Sequence, residues 1–175
     1  MHIMRLILIA PLLIVPVIGF IVRTAIEILR TLLLRSAPVH IVHIPDGDGF
    51  NIAYNGIVER IRIRRIDAPE YHQAYGKEAR RALVALLEFR PVRIVRFGKC
   101  PYGRTLATVF VGNRRVDTAM VASGNAWPYR CNWLGPFQWY AMLHRKGIWH
   151  AGQNHPEKPW EWRHRHPVGG SRREA

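Results

Sequence analysis

The dipeptide Asn55-Gly56 lies between two segments in which apolar residues alternate with polar ones. It is a strong signal for a two-residue β-hairpin, because both of its residues tolerate the positive φ angles of a type I′ turn. We therefore predict that residues 50–54 and 57–66 form two paired antiparallel strands. In the second strand the alternation slips at Arg64-Arg65, which predicts a β-bulge just before Asp67.

The rest of the chain contains short segments of strand-like and helix-like pattern. The predicted strands are residues 39–44, 92–97 and 105–111. The predicted helices are residues 75–89, a short helix capped by Asp117 that ends at Gly124, and residues 138–146. Short strands, two hairpins and helices between strands predict an α+β, mainly β fold. We expect a five-stranded OB-fold barrel with about three peripheral helices, preceded by an N-terminal hydrophobic helix.

Composition divides the chain into three parts. Residues 1–37 contain a long uncharged apolar run at residues 6–22, followed by an amphipathic linker. The run is near the lower length limit for a membrane helix and lacks a clear cleavage site, so we predict a membrane anchor, with a cleaved export signal as the alternative. Residues 38–150 are predicted to form the folded domain, and residues 151–175 a basic, largely irregular tail.

The chain is strongly basic, with 26 Lys and Arg against 12 Asp and Glu, a net charge of +14. Most of this charge lies beyond the N-terminal segment, because residues 41–175 carry 22 basic and 11 acidic side chains. A domain with this excess attracts polyanions, nucleic acid above all, and anionic membrane surfaces less specifically.

Although acidic residues are scarce, three of them occur close to arginines in the sequence: Asp48, and then Asp67 and Glu70 after Arg62. Carboxylate oxygens suit Ca²⁺ or Mg²⁺, and the guanidinium fork matches phosphate oxygens. Hydrolysis of a phosphodiester needs cations to neutralise charge and a carboxylate to orient or deprotonate water. This segment, with Arg104 in a predicted turn, therefore indicates phosphodiester chemistry.

Six motifs follow one another along the chain. They are Asp46-Gly47-Asp48, Arg62 through Asp67-Ala68-Pro69-Glu70, Tyr75-Gly76-Lys77-Glu78-Ala79, Tyr102-Gly103-Arg104-Thr105-Leu106-Ala107, Gly147-Ile148-Trp149 and Pro159-Trp160-Glu161-Trp162-Arg163. In their order and spacing they resemble the staphylococcal-nuclease-like, or thermonuclease, family, from about residue 39 to residue 162. The chain departs from the family at Gly49, where relatives usually have Thr.

The resemblance implies a calcium-dependent phosphodiesterase of the OB fold that cleaves DNA and RNA with low sequence specificity. It implies a calcium site formed by Asp48, Asp67 and the backbone carbonyl of Ala68. Glu70 would be the general base or the group that orients water. Arg62 and Arg104 would hold the scissile phosphate, and Tyr102 would contact a neighbouring phosphate.

A different class of function stays open: a non-catalytic OB-fold module that binds nucleic acid or a protein and is anchored at a membrane. Such modules tend to lose the acidic and arginine positions, all five of which are present here. A metal-dependent enzyme for another phosphate ester is a further alternative. The sequence indicates no obligate protein partner, and we expect a monomeric catalytic domain.

Two signals on location conflict. Three arginines follow the apolar run, and by charge bias they would keep the domain in the cytoplasm. Calcium sites built from a few carboxylates bind weakly, which favours the extracytoplasmic side; we predict the latter. Cys100 and Cys131 lack zinc-site spacing and would form either a disulfide or two free thiols.

Overall fold

The structure, a computed structural model, describes residues 21–26, 39–54, 56–152 and 156–167. From residue 39 onward, the strands among these residues are β1 (His40–His43), β2 (Gly49–Tyr54), β3 (Ile57–Ile63), β4 (Ile66–Asp67), β5 (Val92–Lys99), β6 (Thr105–Val111), β7 (Arg114–Arg115) and β8 (Trp127–Pro128). The helices are α1 (Gly76–Leu87), α2 (Val116–Ala122), α3 (Gly135–Leu143), a 3₁₀ turn (Gly147–Trp149) and α4 (Pro159–Arg165). The predicted elements occur in the predicted order, although α3 begins earlier than expected.

The main sheet has the strand order β1-β2-β3-β6-β5, with the short strand β7 beside β6. Its pairings are antiparallel except for β3 and β6, which run parallel. β4 and β8 form a separate antiparallel pair. The mixed α+β class is therefore confirmed. The pairings found among the described residues do not include β1 with β5, so closure into a barrel stays a prediction.

Helix α1 packs its apolar face into the same core as the sheet. Ala79, Leu83 and Leu87 recur every fourth residue and are buried, as expected for one face of a helix. They belong to the hydrophobic cluster that contains Phe50 and Ile61 from the strands. This packing holds α1 against the core side of the sheet.

The predicted bulge before Asp67 is wrong, because the chain breaks there into two strands. β2 and β3 pair without a register shift. Arg64 and Arg65 then form a turn, in which Arg65 has a φ of 70°. After the turn, Asp67 pairs with Trp127 of β8 and no longer with the main sheet. The slip in alternation marks this change of sheet.

One further prediction is corrected by the structure, and a helix is found within the predicted tail. Asp117 is the second residue of α2, and Arg115 is the N-cap. The Asp117 carboxylate instead accepts hydrogen bonds from the Arg115 side chain and the Thr118 amide. In the segment that we expected to be largely irregular, Pro159–Arg165 form helix α4.

The N-terminal prediction falls mainly outside the described residues. Packing divides the chain into two units, Met1–Arg35 and Ser36–Ala175. In the first unit residues 21–26 are helical, whereas residues 6–20 of the apolar run are not described. Within the described part of the chain, no helix has the length and apolar character needed to cross a membrane. The membrane anchor therefore stays a prediction.

Candidate active site

The loop before β2 lies against the end of β3 and the start of α1. The amide of Ile63 donates a hydrogen bond to the carbonyl of Asp48 at 2.8 Å. A Cβ atom on Gly47 would lie 2.8 Å from the Cβ atoms of both Ala68 and Ala79. Only glycine lets this loop approach so closely, and the close approach brings Asp48 beside the end of β4.

Arg62 joins the two predicted metal-binding aspartates. Its Nη1 lies 2.8 Å from Oδ2 of Asp48, and its Nη2 lies 2.8 Å from Oδ1 of Asp67. The Asp48 Oδ2 atom also accepts a hydrogen bond from the Ala68 amide at 2.8 Å. These contacts of Arg62 and Asp48 thus bring together four of the seven predicted site residues, which come from a loop, β3, β4 and the residue after it. The three charged side chains are almost fully buried.

The buried carboxylates have more negative charge than Arg62 can neutralise. Burial raises the pKa of Asp48 well above its ordinary value, and the nearby Asp46 and Asp67 carboxylates act in the same direction. Arg62 and the Ala68 amide oppose this rise. A buried site with unbalanced carboxylates favours the approach of a further cation.

A residue to which the sequence assigned no role, Arg163 of α4, supplies a second guanidinium. Its Nη2 lies 2.7 Å from Oδ2 of Asp67, and its Nη1 lies 3.2 Å from Oδ1 of Asp67 and 2.7 Å from Oε1 of Glu70. Glu70 therefore lies in the same cluster as Asp67. The sequence signal that could have indicated a role for Arg163 is its motif, in which the apolar residues Pro159 and Trp160 precede it and can pack against the domain.

Glu70 is held through its backbone by Gln73. The Glu70 amide donates a hydrogen bond to Oε1 of Gln73 at 3.1 Å, and the Gln73 amide donates to the Glu70 carbonyl at 2.9 Å. Gln73 is buried. The Glu70 side chain is 32% exposed, so the carboxylate lies at the edge of the cluster, on a backbone that Gln73 holds, and is open to solvent.

Arg104 and Tyr102 lie in the turn between β5 and β6. Arg104 lies two residues before Leu106, the partner of Arg62 across the sheet. Strand alternation therefore places Arg104 and Arg62 on the same face. Among the described residues, Arg104 makes no ion pair with the three carboxylates, and its buried Nε lacks a hydrogen-bond partner. Tyr102 is 78% exposed.

The Arg104 side chain contacts the thiol of Cys100. Burial acts to raise the pKa of this thiol, but hydrogen bonds from the backbone amides of Tyr102 and Arg104 and from the Arg104 side chain lower it overall. Cys100 and Cys131 are both free thiols.

Asp48, Asp67 and Ala68 supply oxygen atoms, which are the kind of ligand that a hard cation prefers. Among the described residues, no group of three or more His, Cys, Asp or Glu side chains is arranged to hold a metal ion. The oxygens of Asp48 and Asp67 nevertheless meet at one guanidinium, beside Ala68. Calcium accepts such carboxylate and carbonyl oxygens and completes its coordination with water.

The fold and the site define an OB-like α+β domain with an arginine–carboxylate site. Residues 60–151 match the family model described as staphylococcal nuclease homologue. The chain belongs to this family.

The chain is similar to plant and bacterial proteins. It is 36% identical over 108 residues to the probable staphylococcal-like nuclease CAN2 of Oryza sativa subsp. japonica, covering 59% of this chain and 29% of that protein. It is 34% identical over 131 residues to an uncharacterized endonuclease of Haemophilus influenzae, covering 73% and 74%. It is 35% identical over 138 residues to protein ParB of Escherichia coli, covering 70% and 77%. The chain thus spans about a third of the rice relatives and most of the bacterial ones.

Proposed function

We propose that this chain is a calcium-dependent nuclease that hydrolyses phosphodiester bonds in DNA and RNA with low sequence specificity. Its family membership and relatives named nuclease or endonuclease support this proposal. The main structural support is the bridge that Arg62 makes between Asp48 and Asp67. The strongly basic composition adds a field that attracts nucleic acid.

Each predicted site residue has a role in this proposal. Asp48, Asp67 and the Ala68 carbonyl would hold calcium, which when bound neutralises phosphate charge. Arg62 binds the scissile phosphate beside these carboxylates. Glu70, close to Asp67 and partly open to solvent, accepts a proton from water or orients it.

The β5–β6 turn would hold the substrate strand. Arg104 lies on the sheet face of Arg62, and its guanidinium is a group suited to bind a phosphate oxygen. Tyr102 is exposed enough to contact a neighbouring phosphate. Preorganised donors of this kind stabilise the charge that develops in the transition state.

The test is cleavage of fluorescently labelled single-stranded DNA and RNA by the full chain, with calcium or with EGTA. Cleavage should require calcium. Glu70→Gln and Arg104→Ala should each lower turnover by about a hundredfold or more. Arg81→Ala is the control, because Arg81 pairs with Glu78 on the exposed side of α1 and should leave turnover unchanged.

The alternative function, a non-catalytic binding module, makes a different prediction for the same experiment. It predicts salt-dependent binding of the oligonucleotide with no cleavage under any divalent ion. Turnover that is unchanged in both Glu70→Gln and Arg104→Ala would instead contradict the assigned catalytic residues.

We also propose that the domain lies on the extracytoplasmic side of a membrane, anchored by the N-terminal apolar run. The support is the weak calcium affinity expected of a site with few carboxylates. Digestion of the domain by a protease added to intact cells would agree with this location. Protection of the domain until the cells are lysed would contradict it.

A further inference from the structure

Arg163 contacts two carboxylates of the candidate site, Asp67 and Glu70. Its two terminal nitrogens face the two oxygens of Asp67, at 3.2 and 2.7 Å, and one of them also reaches Glu70 at 2.7 Å. Arg62 lies 2.8 Å from the Oδ1 atom of Asp67. Both oxygens of this buried carboxylate are therefore engaged by arginines.

The helix that carries Arg163 is held in place by contacts that do not involve Arg163. Pro159 is buried at its start. Trp160 packs against the cluster of Trp127 and Trp149, and its ring lies 5.8 Å from the ring of Tyr129. Just before the helix, the carbonyl of Glu157 accepts a hydrogen bond from the Gln73 side chain. The packing of the helix thus places Arg163 beside the carboxylates.

A divalent ion and the Arg163 guanidinium would compete for the carboxylate of Asp67. Three of the roughly four lone-pair positions of the Asp67 carboxylate accept hydrogen bonds from Arg62 and Arg163. A hard cation that binds through both oxygens must therefore displace one of these donors. Two positive groups on one carboxylate also repel each other, and burial strengthens that repulsion. The Arg163 side chain is 39% exposed, so it can turn toward solvent while the helix stays packed.

We propose that Arg163 is a positioning residue that takes the place of the cation on Asp67 in the ion-free protein and thereby sets the affinity of the site for calcium. This inference rests on the proposed function, because it assumes that a divalent ion binds Asp48 and Asp67. Without the ion, Arg163 neutralises Asp67 and holds Glu70. When the ion binds, the guanidinium leaves Asp67.

The test is calcium binding to the full chain, measured by isothermal titration calorimetry without substrate. In Arg163→Gln the competing charge is absent, so calcium should bind about tenfold more tightly or better than in the parent. The control is Arg165→Gln, which removes the same charge from the same helix. Arg165 pairs with Glu157, away from the carboxylate cluster, and its loss should change the affinity by less than about twofold.

The possible outcomes separate this inference from the proposed function. Equal or weaker calcium binding in Arg163→Gln would overturn the inference and leave the cation site intact. Absence of calcium binding in both the parent and the variant would overturn the proposed function and the inference with it. If Arg163→Gln fails to fold, Arg163→Lys should show a smaller gain, because lysine cannot engage both oxygens of Asp67 in parallel.

Discussion

Arg163 lies 2.7 Å from Glu70, although 93 residues separate them in the chain. The family match ends at residue 151, so this contact comes from a helix beyond the matched region. Asp48 lies outside that region on the other side. The candidate site is therefore assembled partly by segments that flank the matched part of the domain.

Arg62 should stabilise the ion-free fold as well as bind phosphate. Arg62→Ala leaves Asp48 buried without its guanidinium, so the free energy of unfolding in EDTA should fall by about 3 kcal/mol, the lower end for a broken buried pair because Arg163 still neutralises Asp67. Urea unfolding measures this change. Calcium should restore part of the loss, since the ion supplies the missing charge. A loss as small as that of the exposed control Arg81→Ala would contradict the prediction.

Gly47 should be needed for the close packing of the site loop. Gly47→Ala places a methyl group 2.8 Å from the Cβ atoms of Ala68 and Ala79, which should cost about 1–3 kcal/mol of stability. Gly135→Ala is the matched control, because a Cβ at Gly135 meets no atom within 4 Å. Thermal unfolding of both variants compares the two sites. Equal melting temperatures would show that the loop can move away from α1 at little cost.

Gln73 should act on turnover through the position of Glu70. Gln73→Ala removes the acceptor for the Glu70 amide and the donor for the Glu157 carbonyl. A displaced carboxylate should lower kcat by about ten- to a hundredfold, with a smaller effect on KM. Steady-state cleavage of a labelled oligonucleotide measures both constants. A parental kcat would show that other contacts suffice to hold Glu70.

Glu59 should make the stability of the sheet depend on pH. Its hydrogen bonds with Arg96 lower the pKa of Glu59 from its ordinary value of 4.5. As the pH falls, the Glu59 carboxylate is therefore protonated in the unfolded chain before it is protonated in the folded one. The stability that the pair with Arg96 contributes is present above about pH 4.5 and is lost below it. Glu59→Gln should cost up to about 1 kcal/mol at pH 7, since the pair is partly exposed. The difference between parent and variant should shrink in urea titrations toward acid pH; a constant difference would contradict this.

Local patterns in the sequence were sufficient for the elements that they describe. The alternation around Asn55-Gly56 predicted the pairing of β2 with β3, and the spacing of Ala79, Leu83 and Leu87 predicted α1. These signals depend on backbone preference and on which face is buried, and both act over a few residues. Closure of a barrel depends on contacts between distant strands, and no local pattern encodes it.

For the candidate site, the sequence named Asp48, Arg62 and Asp67, and the structure brings them into contact. It named Arg104 as well, but that side chain contacts Cys100 and no carboxylate in the described residues. The role of α4 was missed, because a short basic segment rich in His, Pro and Arg has no periodicity that reveals a buried face.

The sequence alone determined the chemical inventory: a basic domain, a few carboxylates, and arginines at the ends of predictable strands and turns. The tertiary structure decided which charges meet. Burial of Asp67 between Arg62 and Arg163 depends on the packing of Trp160 and on the turn at Arg65. An ion pair of this kind is set by distances across the fold, and only packing of the whole domain fixes those distances.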